Sequence, residues 1–355
     1  VLTSANTYGG LTIINGGVLR ITNSGALGST AAGTVQSGSS ALELDGTAGA
    51  LTIGAEPLTI NGAGVSSTGA LRNIDGNNTY GGTVSLAAAS RINSDSGILT
   101  LNNATAVSSS GQTLTVGGNG DVVISGNVAL GLGGVTRDGS GTLTLSGANT
   151  YTGDTTVQSG TLNITGSLSG NGGVSTGAVL SYGAAAGNSV VNVSGNINNY
   201  LRFQGATNAS ASAAYIQTAG NVNFTSAGTA NPTQVVASAG YGYMEITGGT
   251  LRANGRFAPS NGAATTGVMY IGGTGTLDTS GGEWFLMSYV GSGNAGRSML
   301  TVDTGGTLDR VGASNLFGLN MDRSNGYAVL NIVGGSVLNS NRAITFGNGT
   351  TAGIT

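Results

Sequence analysis

The chain contains no cysteine, no histidine and no lysine. Without cysteine there are no disulfides, no thiolate metal sites and no thiol nucleophile. Without histidine the commonest general base and metal ligand is missing. Without lysine neither Schiff-base chemistry nor a lysine isopeptide crosslink is open. Charged residues are only 7% of the sequence, against about 25% in a typical globular protein. All 11 cations are arginine, dispersed along the chain, and the formal net charge is −3. That balance argues against a nucleic-acid partner, which needs a concentrated basic footprint. No run of about 20 apolar residues reads as a membrane-spanning helix. Attachment to a membrane is therefore expected only through an anchor or β-barrel outside this chain. No signal peptide opens the sequence, and both ends, VLTSANTYGG and GNGTTAGIT, are repeat-like text. A processed piece of something longer is the expectation.

What the chain does have is glycine, 67 residues, and a hydrophobic fraction of 39%. A disordered Gly/Ser linker lacks that hydrophobic fraction, so the chain is expected to fold. Its polar surface must come from Ser, Thr and Asn, which with Val, Ile and Leu suit strands and tight turns.

Repeats organise the text. Asn-Thr-Tyr occurs three times, marked by Tyr8, Tyr80 and Tyr151. Downstream of the first and third, IINGGVLRI (13–21) matches TVQSGTLNI (156–164). Between the markers lie short alternating strands such as ALTIGAEPLTINGAG and GTLTLSG, each closed by Gly or Asn. Alternation over four to six residues with turns every 8–12 is an all-β pattern. The superperiod near 72 divides into three coils of about 24 residues, the length of one turn of a parallel β-helix.

Beyond about residue 181 the style changes. GYMEITGGTL, VMYIGGTGTL, MLTVDTGGTL and VLNIVGGSVL align on Leu251, Leu277, Leu308 and Leu338, with a weaker copy placing Val222 at the same point. Phe257, Phe285, Phe317 and Phe346 follow, which predicts an internal Phe stack. Only three aromatics precede residue 182. Two regions are expected: 1–181, regular repeats, and 182–355, wider and aromatic-richer coils of the same solenoid.

RDGSGTLTLSGANTYTGDTTVQSGTLNI (137–164) closely resembles the passenger-associated repeat of bacterial autotransporters. Residues 4–22 match its second half, and 71–97 look like a companion coil of the same passengers. The strong resemblance covers about residues 1–180. It implies a right-handed single-stranded parallel β-helix (β-solenoid), here roughly 14 coils of about 21–31 residues. It also implies secretion through an outer-membrane β-barrel and display outside the cell. The family's functions range over adhesion, aggregation and biofilm scaffolding, with protease or esterase activity in some members.

Three motifs invite chemistry. Ser94-Asp95-Ser96-Gly97 resembles the surroundings of a serine-protease nucleophile, but no Ser-His-Asp triad forms without histidine, so it reads as a polar turn. Gly117-Gly118-Asn119-Gly120-Asp121 resembles the calcium nonapeptide, but one imperfect copy is no array. β-Helices also host polysaccharide lyases and hydrolases, which use carboxylate pairs. The densest candidates for glycan contact are Asp278, Glu283, Trp284, Tyr289, Asp303, Asp309, Arg310, Asp322 and Arg323. The competing reading makes Asp309-Arg310 and Asp322-Arg323 turn residues in surface ion pairs of little energetic weight.

The sequence therefore predicts a non-catalytic, extracellular β-solenoid of a bacterial surface, structural or adhesive, needing no cofactor or metal. Low net charge allows self-association, end to end or lateral, into fibres. The alternative is a glycan-binding or glycan-cleaving β-helix with its site in the second half, which a groove with two close carboxylates would favour. Host, cell-surface or glycan ligands are not specified by the text.

Overall fold

The computed structural model describes residues 1–170, 178–225, 234–262, 264–281, 285–289, 296–310, 319–320 and 327–338. They form a β-solenoid of parallel sheets with about 11 turns, and no α-helix occurs among them. The fold class is the expected one. The turns are slightly fewer than the roughly 14 expected.

The chain divides into two compact units, residues 1–155 with 160–169, and residues 156–159 with 170–355. In the first unit each coil contributes a strand to three parallel ladders. The first ladder stacks Val18–Ile21, Ala41–Asp45, Leu71–Asp75, Ser90–Ser94, Leu114–Gly117 and Val135–Arg137. The second stacks Thr52–Ile53, Asn78–Tyr80, Ile98–Leu101, Asp121–Ile124, Thr142–Leu145 and Gly160–Ile164. The third stacks Thr12–Ile14, Thr34–Gln36, Leu58–Ile60, Val84–Leu86, Thr105–Ser108 and Asn127–Ala129. Alternation sends every second side chain inward, and in-register pairing then stacks like on like. Leu99, Val122, Leu143 and Leu162 form one such column, fully or almost fully buried.

The second unit repeats the plan with longer strands. Its longest ladder runs Gly187–Val193, Ala211–Gln217, Tyr241–Ile246, Thr266–Ile271, Arg297–Asp303 and Tyr327–Val333. These strands have six or seven residues, against two to five on the second ladder of the first unit. A wider coil encloses more volume, and aromatic rings fill it. Phe203 packs against Phe224 and Phe257 with centroids at 4.9 and 5.7 Å. Phe257 pairs in register with Phe285, their rings stacked at 5.1 Å and 9°. The expected Phe stack is present at these two positions, while Phe317 and Phe346 lie outside the described residues.

The leucine markers hold for Val222, Leu251, Leu277 and Leu308, which form one inward column. The fourth marker is corrected: Val337, not Leu338, lies opposite Leu308, and Leu338 pairs with Asp309. The turn through Gly334 is one residue shorter than its predecessor, and a one-residue change moves every later side chain to the other face.

The three marker tyrosines do not share one environment. Tyr8 and Tyr151 sit before a strand and bond through their hydroxyls to a threonine four residues on, Tyr8 to Thr12 at 2.7 Å and Tyr151 to Thr155 at 2.8 Å. Tyr80 instead occupies a strand, in a column between Ile53 and Leu101, and Val84 stands where a threonine would be needed. Its hydroxyl is buried with no partner among the described residues. Burial raises the Tyr80 phenol pKa, with the charge of Glu56 adding to it. Glu56 is also buried. Its Oε1 accepts from the Thr34 hydroxyl at 3.0 Å, and its Oε2 has no partner among the described residues.

Two outcomes follow for stability. Tyr151→Phe breaks a buried hydrogen bond and is expected to cost about 0.5–1.5 kcal/mol, whereas Tyr80→Phe removes an unpaired buried hydroxyl and is expected to be neutral or stabilising. Urea unfolding of both variants checks this; equal losses would sink the distinction. Burial raises the Glu56 pKa, opposed in part by the Thr34 bond. A raised folded pKa means its contribution is fully present below the ordinary carboxylate value, about 4.3, and is lost as pH rises through the folded value. Thermal melts from acid to neutral pH should therefore show Glu56→Gln gaining on the parent chain as pH rises; a pH-independent difference would contradict it.

Candidate functional site

The first ladder of the first unit carries a line of charge on its outward face. Arg20, Glu43, Arg72, Asn93 and Gly117 occupy the same outward position in five successive strands. Arg20 Nε donates to Glu43 Oε2, and Arg72 donates from the other side to Glu43 Oε1, both at 2.9 Å. Arg72 Nε also donates to Asp95 Oδ2 at 2.8 Å, and Asn93 Nδ2 donates to Asp95 Oδ1 at 2.6 Å. Signs thus alternate along the stack, and Glu43, almost fully buried, is held between two guanidinium groups. Removing either arginine would leave this carboxylate half-paired in a site poor in water.

Gly117 closes that line for a physical reason. A Cβ there would lie 1.8 Å from Arg91 Nη2. The bare backbone lets the Arg91 side chain lie along the stack, across one whole coil, to the turn of the next. There its two terminal nitrogens grip Asp138, Nη1 to Oδ2 at 2.6 Å and Nη2 to Oδ1 at 2.9 Å. The bidentate fork fixes geometry as well as charge. A third nitrogen, Arg91 Nε, is buried with no partner among the described residues.

Beside this pair is a cleft of about 510 Å³, lined by Ser67, Thr68, Arg91, Asn93, Asp95, Gly118, Asn119, Asp138 and Gly139. One wall is the short 3-10 turn Val65–Ser67, in which Ser66 and Ser67 have φ of 51° and 60°. Two adjacent non-glycine residues in the left-handed region cost about 1–3 kcal/mol each and need surrounding support. The support is a pinched base: Gly69 N–H donates to Ala63 O at 2.8 Å, and a Cβ on Gly64 would lie 2.0 Å from Gly69 O.

The two sequence motifs stand on either side of this cleft. Ser94 faces the interior, fully buried, and its hydroxyl accepts from Asn73 Nδ2 at 3.1 Å. Asp95 points outward into the charge line. The turn at Gly118-Asn119 meets it across the cleft, so two segments that read separately as polar turns form one site. Sequence reasoning missed Arg20, Glu43, Arg72, Arg91, Asn93 and Asp138. Laying VLRI, ALELD, LRNID and SRINS one above another, one coil apart, would have shown the alternating charges.

Arginine 137 illustrates a different role. It points inward, in the column headed by Leu19, Leu42, Leu71, Ile92 and Val116. Its guanidinium donates to the carbonyls of Gly141, Val116 and Gly118 at 3.0–3.1 Å. Burial lowers its pKa to about 10.

In the second unit, Arg252, Asp278 and Asp309 form an outward column. Asp278 accepts from Arg252 Nε at 2.7 Å and from the Ser280 hydroxyl and amide. Burial pushes its pKa up, but these bonds outweigh it and hold the carboxyl below the usual range. Two carboxylates one coil apart therefore do exist here, yet Asp278 is tuned away from the raised pKa a general acid needs. Asp303 stands on another ladder, held below the usual range by the Thr304 amide and by Tyr270, whose hydroxyl donates at 2.9 Å. Arg310 is fully buried, donates to Thr279 Oγ1 at 3.0 Å, and has its pKa lowered to about 10 by burial. Tyr289 is placed only by its backbone pairing to Asn261. Glu283, Trp284, Asp322 and Arg323 lie outside the described residues. A second cleft, of about 350 Å³, is lined by Asn198, Asn221, Val222, Asn223, Thr250 and Arg252.

Among the described residues no group of three or more metal-ligating side chains converges, and no helix is long and apolar enough to cross a membrane. No curated protein and no solved structure matches the chain. The model of the passenger-associated-transport-repeat matches residues 1–21 and 135–164. Each stretch contains one of the two tyrosine–threonine pairs, and the second also contains the inward Arg137. Two such repeats in a parallel β-solenoid are consistent with an autotransporter passenger β-helix repeat protein.

Proposed function

We propose that the chain is a non-catalytic structural segment of a surface-displayed passenger, and that each unit serves as a stiff spacer with adhesive faces. The observation that carries this reading is the backbone pairing. Coil after coil, inward columns and both neighbouring backbones satisfy each strand without a disulfide. The passenger-type repeats support secretion and display outside the cell.

One feature favours lateral self-association as the adhesive mode. The outward face of the longest ladder in the second unit bears Tyr241, Met299, Tyr327 and Val329, all exposed, beside Tyr243, Val268 and Tyr270. Tyrosine and methionine are enriched at protein interfaces, and the charges on this face, Glu245, Arg297 and Asp303, are of mixed sign.

Fused to a translocator β-barrel, the chain should reach the outer surface and make cells aggregate faster than the barrel alone. Replacing Met299 and Val329 by Asp should leave display intact and abolish the aggregation. Retention inside the cell would sink the display reading; unchanged aggregation in the double variant would sink the adhesive face.

A further inference from the structure

We propose that the cleft in the first unit, beside the Arg91–Asp138 pair, is a binding site for an uncharged saccharide. This goes beyond the spacer role and does not depend on it. The lining selects the ligand class by elimination. Arg91 takes both oxygens of Asp138, and Asp95 shares Arg72 with Glu43, so no free cation awaits an anion, and among the described residues no group of three carboxylates converges on a metal ion. No aromatic or aliphatic side chain lines the cleft, so nothing there holds an apolar ligand.

What remains is hydrogen-bonding capacity of both kinds. Each carboxylate offers about four acceptor positions. The Asp138 oxygens each take one bond from Arg91, and Asp95 takes its bonds from Arg72 and Asn93, so acceptor positions are left over. On the donor side, Asn119 is exposed, accepts from the Ser140 hydroxyl at 2.8 Å, and its Nδ2 donates to no described residue. On the opposite wall the exposed Ser67 adds a hydroxyl, while the Thr68 hydroxyl donates to Val65 O at 2.8 Å and is left as an acceptor. Acceptors and donors side by side on a rigid frame, with no free cation, suit the vicinal hydroxyls of an uncharged sugar ring. The volume, about 510 Å³, lies within the roughly 300–1,000 Å³ of small-molecule sites.

The floor fits a backbone-close ligand. Gly118 and Gly139 stack directly, and a Cβ on Gly139 would lie 2.1 Å from Gly118 O. Stacking alone therefore keeps the floor free of side chains.

Saturation-transfer difference NMR of the intact chain tests the assignment, with neutral malto-, cello- and xylo-oligosaccharides as probes and oligogalacturonate as the charged comparison. At least one neutral probe should give transfer. Asn119→Ala, an exposed position where folding is not at risk, should weaken that probe roughly three- to tenfold, the loss of one hydrogen bond. Arg252→Ala, in the cleft of the second unit, should leave it unchanged. Silence from every neutral probe, a stronger response from oligogalacturonate, or an equal effect of the two variants would overturn the proposal.

Discussion

Everything in this molecule depends on one spacing. Parallel strands in successive coils lie about 4.8 Å apart, and every backbone donor and acceptor between them is committed to that distance. A side chain is then never alone: the residue one coil above and one below sit directly against it. The sequence can only write what tolerates its own near-copy at that distance. Leucine on leucine meets this condition inside; threonine, serine and asparagine meet it outside. A lysine column would not, since like charges directly opposite repel. The spacing thus disfavours long columns of one charge.

Where charges are used, the same spacing dictates their order. Arg20, Glu43 and Arg72 alternate in sign because they are vertical neighbours. The alternation ends at the uncharged Asn93; the next position, Gly117, has no side chain, and the space is taken by Arg91 reaching past it to Asp138. A polar cleft forms where the column is interrupted, next to a loop that leaves the coil and returns. Interruption of the repeat, not the repeat itself, creates the place where something other than another coil can bind.

The architecture was legible in the sequence because period-2 alternation and stacked repeats are local signals that survive in one dimension. Tyr8 and Tyr151, with a threonine four residues on, mark equivalent positions and read as such. Leu251, Leu277 and Leu308 were legible for the same reason. Leu338 was not, since a one-residue deletion in a glycine turn is invisible to an alignment of similar strings and yet reverses which face a side chain takes. The cleft was illegible for a stronger reason. Arg91 and Asp138 are 47 residues apart, and only the coil lengths bring them within one fork of each other. Asp95 and Asn119 belonged to turns that looked inert one at a time.

The two arginines buried among the described residues, Arg137 and Arg310, show how the fold uses a charge it cannot stack. Arg137 takes a column position otherwise held by leucine, isoleucine or valine, and satisfies its guanidinium on carbonyls of its own turn and of the coil below it. Burial costs it proton affinity, lowering the pKa to about 10, but a guanidinium at that value is still charged at neutral pH. The charge is therefore retained inside and solvated by the backbone itself. Carbonyls at a coil corner are acceptors that the ladder does not fully use, and an inward arginine can bind them across coils as a tie between turns. In a chain without cysteine, this is a non-covalent way to fasten one turn to the next. It also keeps the fork's geometry away from the surface, where the outward arginines are left to set the pattern of charge.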